Sequence, residues 1–347
     1  MDEDKKYFNA LNLILKANYS TLAKLKSEFG CYKRAFENLK ETPRLDVETE
    51  WQKLQKQKIQ LLLAEESEFP SLLKEIPWPP LGIYIKGETP KNEEIRIAVV
   101  GTRKATGVGK EITRRLAKEL SDNGIVVISG LAFGIDSASH LGALEGSTKT
   151  MAVLGNEIGS VYPRQNYKLA KRILENGGCL ISEYPLGYPS YPANFIARNR
   201  ITSGLSIAAI IIEAPEQSGA LSTARFAIEQ NREVFVVPGP IDNKNYQGSL
   251  KLIREGATLI TSVKDVLEDL GVKIPRSSSP ERSPDRQANV KDKNQLLVIK
   301  IIQEAGSPLT IDKISSIAKL EPQVVNQAIS FLIIEGIVRE TEKGYIV

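Results

Sequence analysis

At 347 residues, 41% hydrophobic and 25% charged, the chain has room for two or three domains and enough apolar content for a sizeable core. One histidine, His140, and two widely separated cysteines, Cys31 and Cys179, exclude a zinc site, and no metal or other cofactor is expected. A net charge of +4 favours nucleic acid only weakly, and the charged start MDEDKK with no apolar run near ~18–20 residues predicts a cytoplasmic protein without a membrane span.

The first 66 residues read as a small helical domain. Phe8, Leu11 and Leu15, then Leu22, Leu25 and Phe29, recur at helical intervals, and Gly30 stops the second run. A further helix is predicted over 49–64. The stretch 69–87 is an entry segment in which Pro77, Pro79 and Pro80 break any helix before a strand at 81–85.

Residues 67–272 form the central domain, organised around 95–120. The apolar run IRIAVV ends at Gly101, and from Ile112 the apolar residues Ile112, Leu116 and Leu120 share one helical face. Strand, glycine-bearing turn and helix place unpaired N–H groups beside Arg103 and Lys104, a setting for an anion. The turn is neither a P-loop, because Gly109-Lys110 continues with Glu111, nor a dinucleotide fingerprint, because Ile112 stands where a third glycine is needed. Further short apolar runs follow at 125–128, 151–154, 179–181, 207–212, 234–237 and 258–260. Helical stretches at 110–123, 137–145, 166–176 and 222–230 separate most of them. This alternation predicts an α/β fold with a doubly wound, mostly parallel sheet, whose ligands sit outside the carboxyl ends of the strands.

At those ends stand Gly101, Thr102 and Arg103; Ser129 and Gly130; Gly155 and Asn156; and Ser218 and Gly219 opening a helix. Phe195, Arg198, Asn199 and Arg200 precede the fifth run. Arginines hold phosphates bidentately, helix starts after Gly101 and Gly219 add N–H donors, and Phe195 offers a face for an unpaired base. Each has a structural alternative: Arg198 and Arg200 as salt bridges to Glu213 or Glu183, Phe195 as core, His140 as packing, Asp136 as the cap of the helix that follows it. No nucleophile–base pair accompanies them.

The segment 273–292, rich in Ser, Pro and charge, reads as a disordered linker. Residues 293–347 read as a winged helix. Its first helix is marked by Leu297/Ile301 and Val298/Ile302, and its second is capped by Thr310 with Ile314 and Ile317 inward. A third runs over 321–335, and a hairpin turns at Lys343-Gly344. The third helix turns Gln323, Asn326, Gln327 and Ser330 outward, without Lys or Arg, so protein docking and DNA reading both stay open.

Taken together, GTR at 101–103, SGLAFGIDSASHLGAL at 129–144, VYP at 161–163 with Asn166, NFIARNRITSGLS at 194–206, SGALSTARFA at 218–227 and VPG at 237–239 resemble the DNA-processing protein A family (DprA, also called Smf). The resemblance spans the central domain; the flanking regions fit the family's longer architecture. It implies an extended Rossmann-like core that binds single-stranded DNA, forms a homodimer, loads the recombinase RecA during natural transformation, displaces single-strand-binding protein, and is not an enzyme. It assigns Arg103, Phe195, Arg198 and Arg200 to the DNA pocket, with Gly101, Ser129, Gly130, Ser218 and Gly219 as backbone donors; Thr102 and Asn199 complete the candidate set.

Departures stand out. Leu131 and Phe133 replace a glycine and an arginine of SGGARGID; Asn156, Glu157 and Gly159 replace Thr, Gly and Asp of LGTGxDxxYP; Pro192 stands three before Phe195, where relatives can carry a lysine. Either affinity is lower, or other cations such as Arg164, Lys168 or Lys171 supply it. Two rival readings differ in class: a LOG-like nucleotide hydrolase, which needs a PGGxGTxxE glutamate that the turn 217–223 lacks, and a regulator acting through the winged helix.

Overall fold

The computed structural model describes residues 2–39, 45–272, 293–334, 337–341 and 344–346, so the proposed linker at 273–292 and Lys343 of the hairpin turn lie outside the described residues. The chain divides near residue 275 into two compact units.

The larger unit is built on nine strands: β1 Ile59–Leu63, β2 Gly82–Gly87, β3 Arg96–Val100, β4 Val126–Ser129, β5 Thr150–Val153, β6 Cys179–Ser182, β7 Ala208–Ile211, β8 Glu233–Val236 and β9 Thr258–Leu259. Their order is β1-β2-β6-β5-β4-β3-β7-β8-β9. From β6 to β9 every pairing is parallel, whereas β1 and β2 join antiparallel at one edge. β3 is fully covered because alternate side chains feed opposite layers. Ile97 and Val99 pack with Leu116 and Leu120 of the helix Gly107–Asp122, while Ala98 and Val100 pack with Ala220 and Ala224 of the helix Gly219–Glu229. The chain leaves β3 toward β4 on one side and later returns to β7 on the other. β3 is therefore the switch point, and a crevice opens at its carboxyl end.

The predicted central strands are all present, within one or two residues at their ends. The helix expected over 49–64 is not. A helix runs Val47–Lys56, the chain reverses at Lys58 with φ 54°, and Ile59–Leu63 becomes the edge strand β1. Ile59, Leu61 and Leu63 face the N-terminal helices and Leu62 the opposite layer, with Gln60 exposed, a mostly apolar run that periodicity alone cannot distinguish from a buried helix. Those helices are tied to the sheet by polar contacts too: the Tyr84 hydroxyl donates to Asn9 Oδ1 at 3.0 Å and accepts from Asn12 Nδ2 at 3.2 Å.

The smaller unit has helices Lys293–Ala305, Ile311–Ala318 and Pro322–Ile334, then β10 Arg339–Thr341 paired antiparallel with β11 Gly344–Ile346. Val298, Ile302, Ile314, Val325, Ala328 and Leu332 form its core. Ile317, expected inward, is 58% exposed, because the inward stripe of its helix runs through Ile311, Ile314 and Ala318. Thr310 holds the cap position, but its side chain makes no capping hydrogen bond. Among the described residues no helix is long and apolar enough to cross a membrane, and no group of acidic, His and Cys side chains could hold a metal ion.

Candidate nucleic-acid interface

Four segments meet at the carboxyl end of β3. The turn after β3 is pinned by its backbone: Thr102 N donates to Glu213 O at 2.6 Å at the end of β7, and Ile135 N donates to Thr102 O at 3.2 Å. Arg103 and Lys104 are left exposed on its outer side. The helix Gly107–Asp122 that follows does not offer its N-terminus to a ligand, contrary to expectation. Glu213, with no exposed surface, fills that place: its carboxylate accepts from Thr106 N at 2.9 Å, Thr106 Oγ1 at 2.5 Å and Asn245 Nδ2 at 3.1 Å. A protein carboxylate thus takes the site sequence reading gave to phosphate. Glu213→Gln should lower the unfolding free energy by about 1–3 kcal/mol, since the amide leaves buried donors unmatched; denaturant melts of the two proteins measure it.

After β4, the loop to the helix Ile135–Ala143 carries Leu131 at φ 57°, a conformation that suits glycine better. Burial of the Leu131 side chain in the core under the N-terminal helices offsets that strain. Contrary to expectation, Asp136 does not cap the helix, because Gly134 holds that position and Asp136 lies in its first turn. Its carboxylate turns back onto the loop and accepts from Gly130 N at 3.2 Å and Ala132 N at 3.3 Å.

The third segment is the helix pair Pro192–Ala197 and Asn199–Gly204. Arg198 joins the two and is only 5% exposed. Its Nη1 donates to Gly130 O at 2.9 Å and to Val153 O, and its Nε donates to Asn199 Oδ1 at 3.2 Å. Neither Glu213 nor Glu183 is its partner. Burial pushes the Asp136 carboxyl up and the Arg198 guanidinium down, and their mutual attraction opposes both shifts. Gly130 is glycine for a steric reason: a Cβ there would lie 2.5 Å from Arg198 Nη2. Arg198 therefore fastens the ends of β4 and β5 from below. Asn199 fastens the fourth segment, donating to Gly219 O at 3.1 Å and Ser222 Oγ at 3.0 Å. The helix Gly219–Glu229 that it steadies is the open one. Ser218 caps it through Ala220 N at 3.2 Å, and a Cβ on Gly219 would meet nothing.

Between these segments lies a cavity of about 420 Å³, within the ~300–1,000 Å³ usual for ligand sites. Of the candidate residues, Gly101, Thr102, Arg103, Gly130, Phe195, Arg198, Asn199, Ser218 and Gly219 line it. Ser129 does not: it is buried beneath, donating to Val99 O at 2.7 Å. Nor does Arg200, whose Nη2 reaches both oxygens of Glu183 at 2.6 and 2.8 Å, the salt-bridge alternative. Lys104, Thr202, Gln217 and Thr223 line the cavity and stood outside the candidate set. The basic side chains lining it are Arg103, Lys104 and Arg198, against the acidic Asp136; with Arg198 facing Asp136, the basic surplus is Arg103 and Lys104.

Phe195 forms one wall. It lies on Gly155, where a Cβ would come within 2.6 Å of the ring. Arg103 approaches its face at 6.0 Å, and Tyr162 flanks it with ring centroids 5.3 Å apart. Phe133, at the family's arginine position, is 43% exposed and lines a small side cavity with Tyr162, Pro163 and Phe195.

His140 is buried, its Nδ1 2.8 Å from Thr150 Oγ1. Burial, with Arg198 adding to it, pushes its pKa down to about 3. The folded state thus holds it neutral. Its contribution to stability is present above the unfolded value of about 6.5 and is lost as pH falls toward 3. Over that window the group should give stability a slope of about 1.4 kcal/mol per pH unit. His140→Gln should flatten the fall in melting temperature between about pH 6 and pH 4 by one proton's worth.

The sequence signature described as DNA recombination-mediator protein A matches residues 60–271. The chain is 36% identical over 302 residues to Protein Smf of Escherichia coli (strain K12), covering 82% of this chain and 76% of that one. It is 38% identical over 215 residues to DNA processing protein DprA of Bacillus subtilis (strain 168), covering 62% and 72%. Among solved structures it is similar to DNA processing protein A from Streptococcus pneumoniae, with TM-score 0.60, 34% identity, and coverage of 68% of this chain and 80% of that one. It is also similar to DNA processing protein A from Helicobacter pylori, with TM-score 0.54, 30% identity, and coverage of 61% and 95%; that structure describes a single-stranded DNA binding mode.

Proposed function

This chain belongs to the DNA recombination-mediator protein A family, and from that premise we propose that its cavity at the switch point of the sheet grips single-stranded DNA. The observation that carries the reading is the convergence on one cavity of two uncommitted cations, Arg103 and Lys104, an aromatic wall, Phe195, and the open helix start at Gly219. Cations and open amides suit a phosphate chain, and Phe195 suits a base of any identity. Asp136, among the described residues the one acidic side chain lining the cavity, is committed to two amides and faces Arg198, which supports binding over hydrolysis.

From the family we further infer a cytoplasmic homodimer that loads the recombinase RecA onto single strands in place of single-strand-binding protein during natural transformation. We read the C-terminal unit as a winged helix. The uncharged outward residues Gln323, Asn326, Gln327 and Ser330 support an accessory, protein-docking role for it.

Fluorescence anisotropy of labelled single-stranded and duplex oligonucleotides tests the reading. Single strands should bind in preference to duplex of equal length, with little regard to sequence, and log K should fall with log salt by about 0.7 for each phosphate held. Equal affinity for duplex, or no salt dependence, would count against it.

A further inference from the structure

The geometry points to a second contact for single-stranded nucleic acid, in a groove beside the first cavity; the inference rests on the cavity being where the strand enters. The groove measures about 580 Å³ and lies between β2, the helix Tyr167–Glu175 and the loop that leads into that helix. Leu174, Leu180 and Ile158 contribute apolar lining; Lys86, Arg164 and Lys171 add three cations. Among the described residues no acidic side chain lines it. Lys171 has only an exposed partner, Glu175, at 3.5 Å, a pairing of little energetic weight. Tyr167 lines the groove while 64% exposed, so its ring is available to a ligand.

Two observations assign the occupant. The first is chemistry: cations, an available aromatic ring and apolar lining are the set that holds phosphates and stacks unpaired bases. The second is continuity. One loop serves both sites, with Val161 and Arg164 in the groove and Tyr162 and Pro163, between them in sequence, at the Phe195 side of the first site. The same loop lines both sites, so a strand leaving Phe195 past Tyr162 would meet Arg164 next. The groove would supply cationic contacts where position 133 holds Phe133 and position 192 holds Pro192.

The test compares the intact protein with Arg164→Ala/Lys171→Ala, Tyr167→Ala and Arg103→Ala. Each is titrated with thymidine oligonucleotides of about 6 and about 20 nucleotides, the shorter filling the first cavity alone. The double variant should bind the short strand as the intact protein does. It should lose about tenfold on the long one, with a salt slope shallower by about 1.4 for two phosphates released. Tyr167→Ala should lose affinity for the long strand without changing that slope. Thermal unfolding of each variant confirms that the fold is kept. Intact affinity of both groove variants for the long strand, or an equal loss at both lengths, would overturn the groove. Arg103→Ala is read separately: no loss at either length would remove the first cavity from the strand's path, whatever the groove variants do.

Discussion

Arg198→Ala is expected to lower the stability of the larger unit by about 3–5 kcal/mol, because buried carbonyls lose a charged donor and a buried carboxyl group loses a nearby cation. The loss has identifiable parts. The carbonyls of Gly130 and Val153, at the ends of β4 and β5, lose their donor. Asp136, buried in the same loop, loses the cation whose attraction opposes the upward push of burial on its carboxyl. Both are the costly kind of change, in which a buried polar group loses its partner. For a unit of this size, the midpoint of thermal unfolding should fall by roughly 6–20 °C. Arg198→Lys should recover part of the loss, since a lysine restores the charge but not the planar group that reaches two carbonyls through Nη1 and Asn199 through Nε. Calorimetry on the three proteins decides. An unchanged midpoint, with DNA affinity alone reduced, would mean that the guanidinium serves the ligand and not the strand ends.

Phe195→Ala should weaken single-strand binding by about 1–3 kcal/mol, roughly 5- to 150-fold, which is the worth of one base stacked on an aromatic ring. The ring is half-buried and backed by Gly155, with Tyr162 at its side, so its orientation is set before the ligand arrives. Arg103→Ala acts differently. Arg103 is exposed and its guanidinium lies over the Phe195 ring, so the fold should not notice its loss, while the salt slope should become shallower by about 0.7. Anisotropy titrations at several salt concentrations separate the two effects. A Phe195→Ala protein that binds as tightly as the parent would make the ring a packing residue, the alternative its sequence context left open.

The layout of the sheet was legible because each strand from β3 onward is a short apolar run ended by Gly, Pro or a polar turn, with helical spacing between most of them. β1 was hidden because IQLLL continues a helical pattern from Trp51, and only its partner 82–87, distant in sequence, makes it a strand. The candidate site was legible as a neighbourhood and not as a set of roles. Sequence motifs placed arginines near strand ends, but which guanidinium is free depends on burial and on partners far along the chain. Arg103 is exposed beside the Phe195 ring, Arg198 is spent on carbonyls, and Arg200 is spent on Glu183. Nothing local marks Glu213 as the occupant of the helix start at Thr106, because more than a hundred residues separate them. Leu131 was visible as a departure from the family's glycine. That it keeps the left-handed backbone could be seen only in three dimensions.

The claim beneath all of this is that the strand lies in the cavity at the carboxyl end of β3. Ultraviolet cross-linking of the full chain to a short thymidine oligonucleotide, followed by mass spectrometry of the peptides, tests it most directly. The account predicts a nucleotide adduct on the peptide that contains Phe195, lost when excess unlabelled single strand competes. Adducts confined to the C-terminal unit, with the Phe195 peptide unmodified, would contradict it.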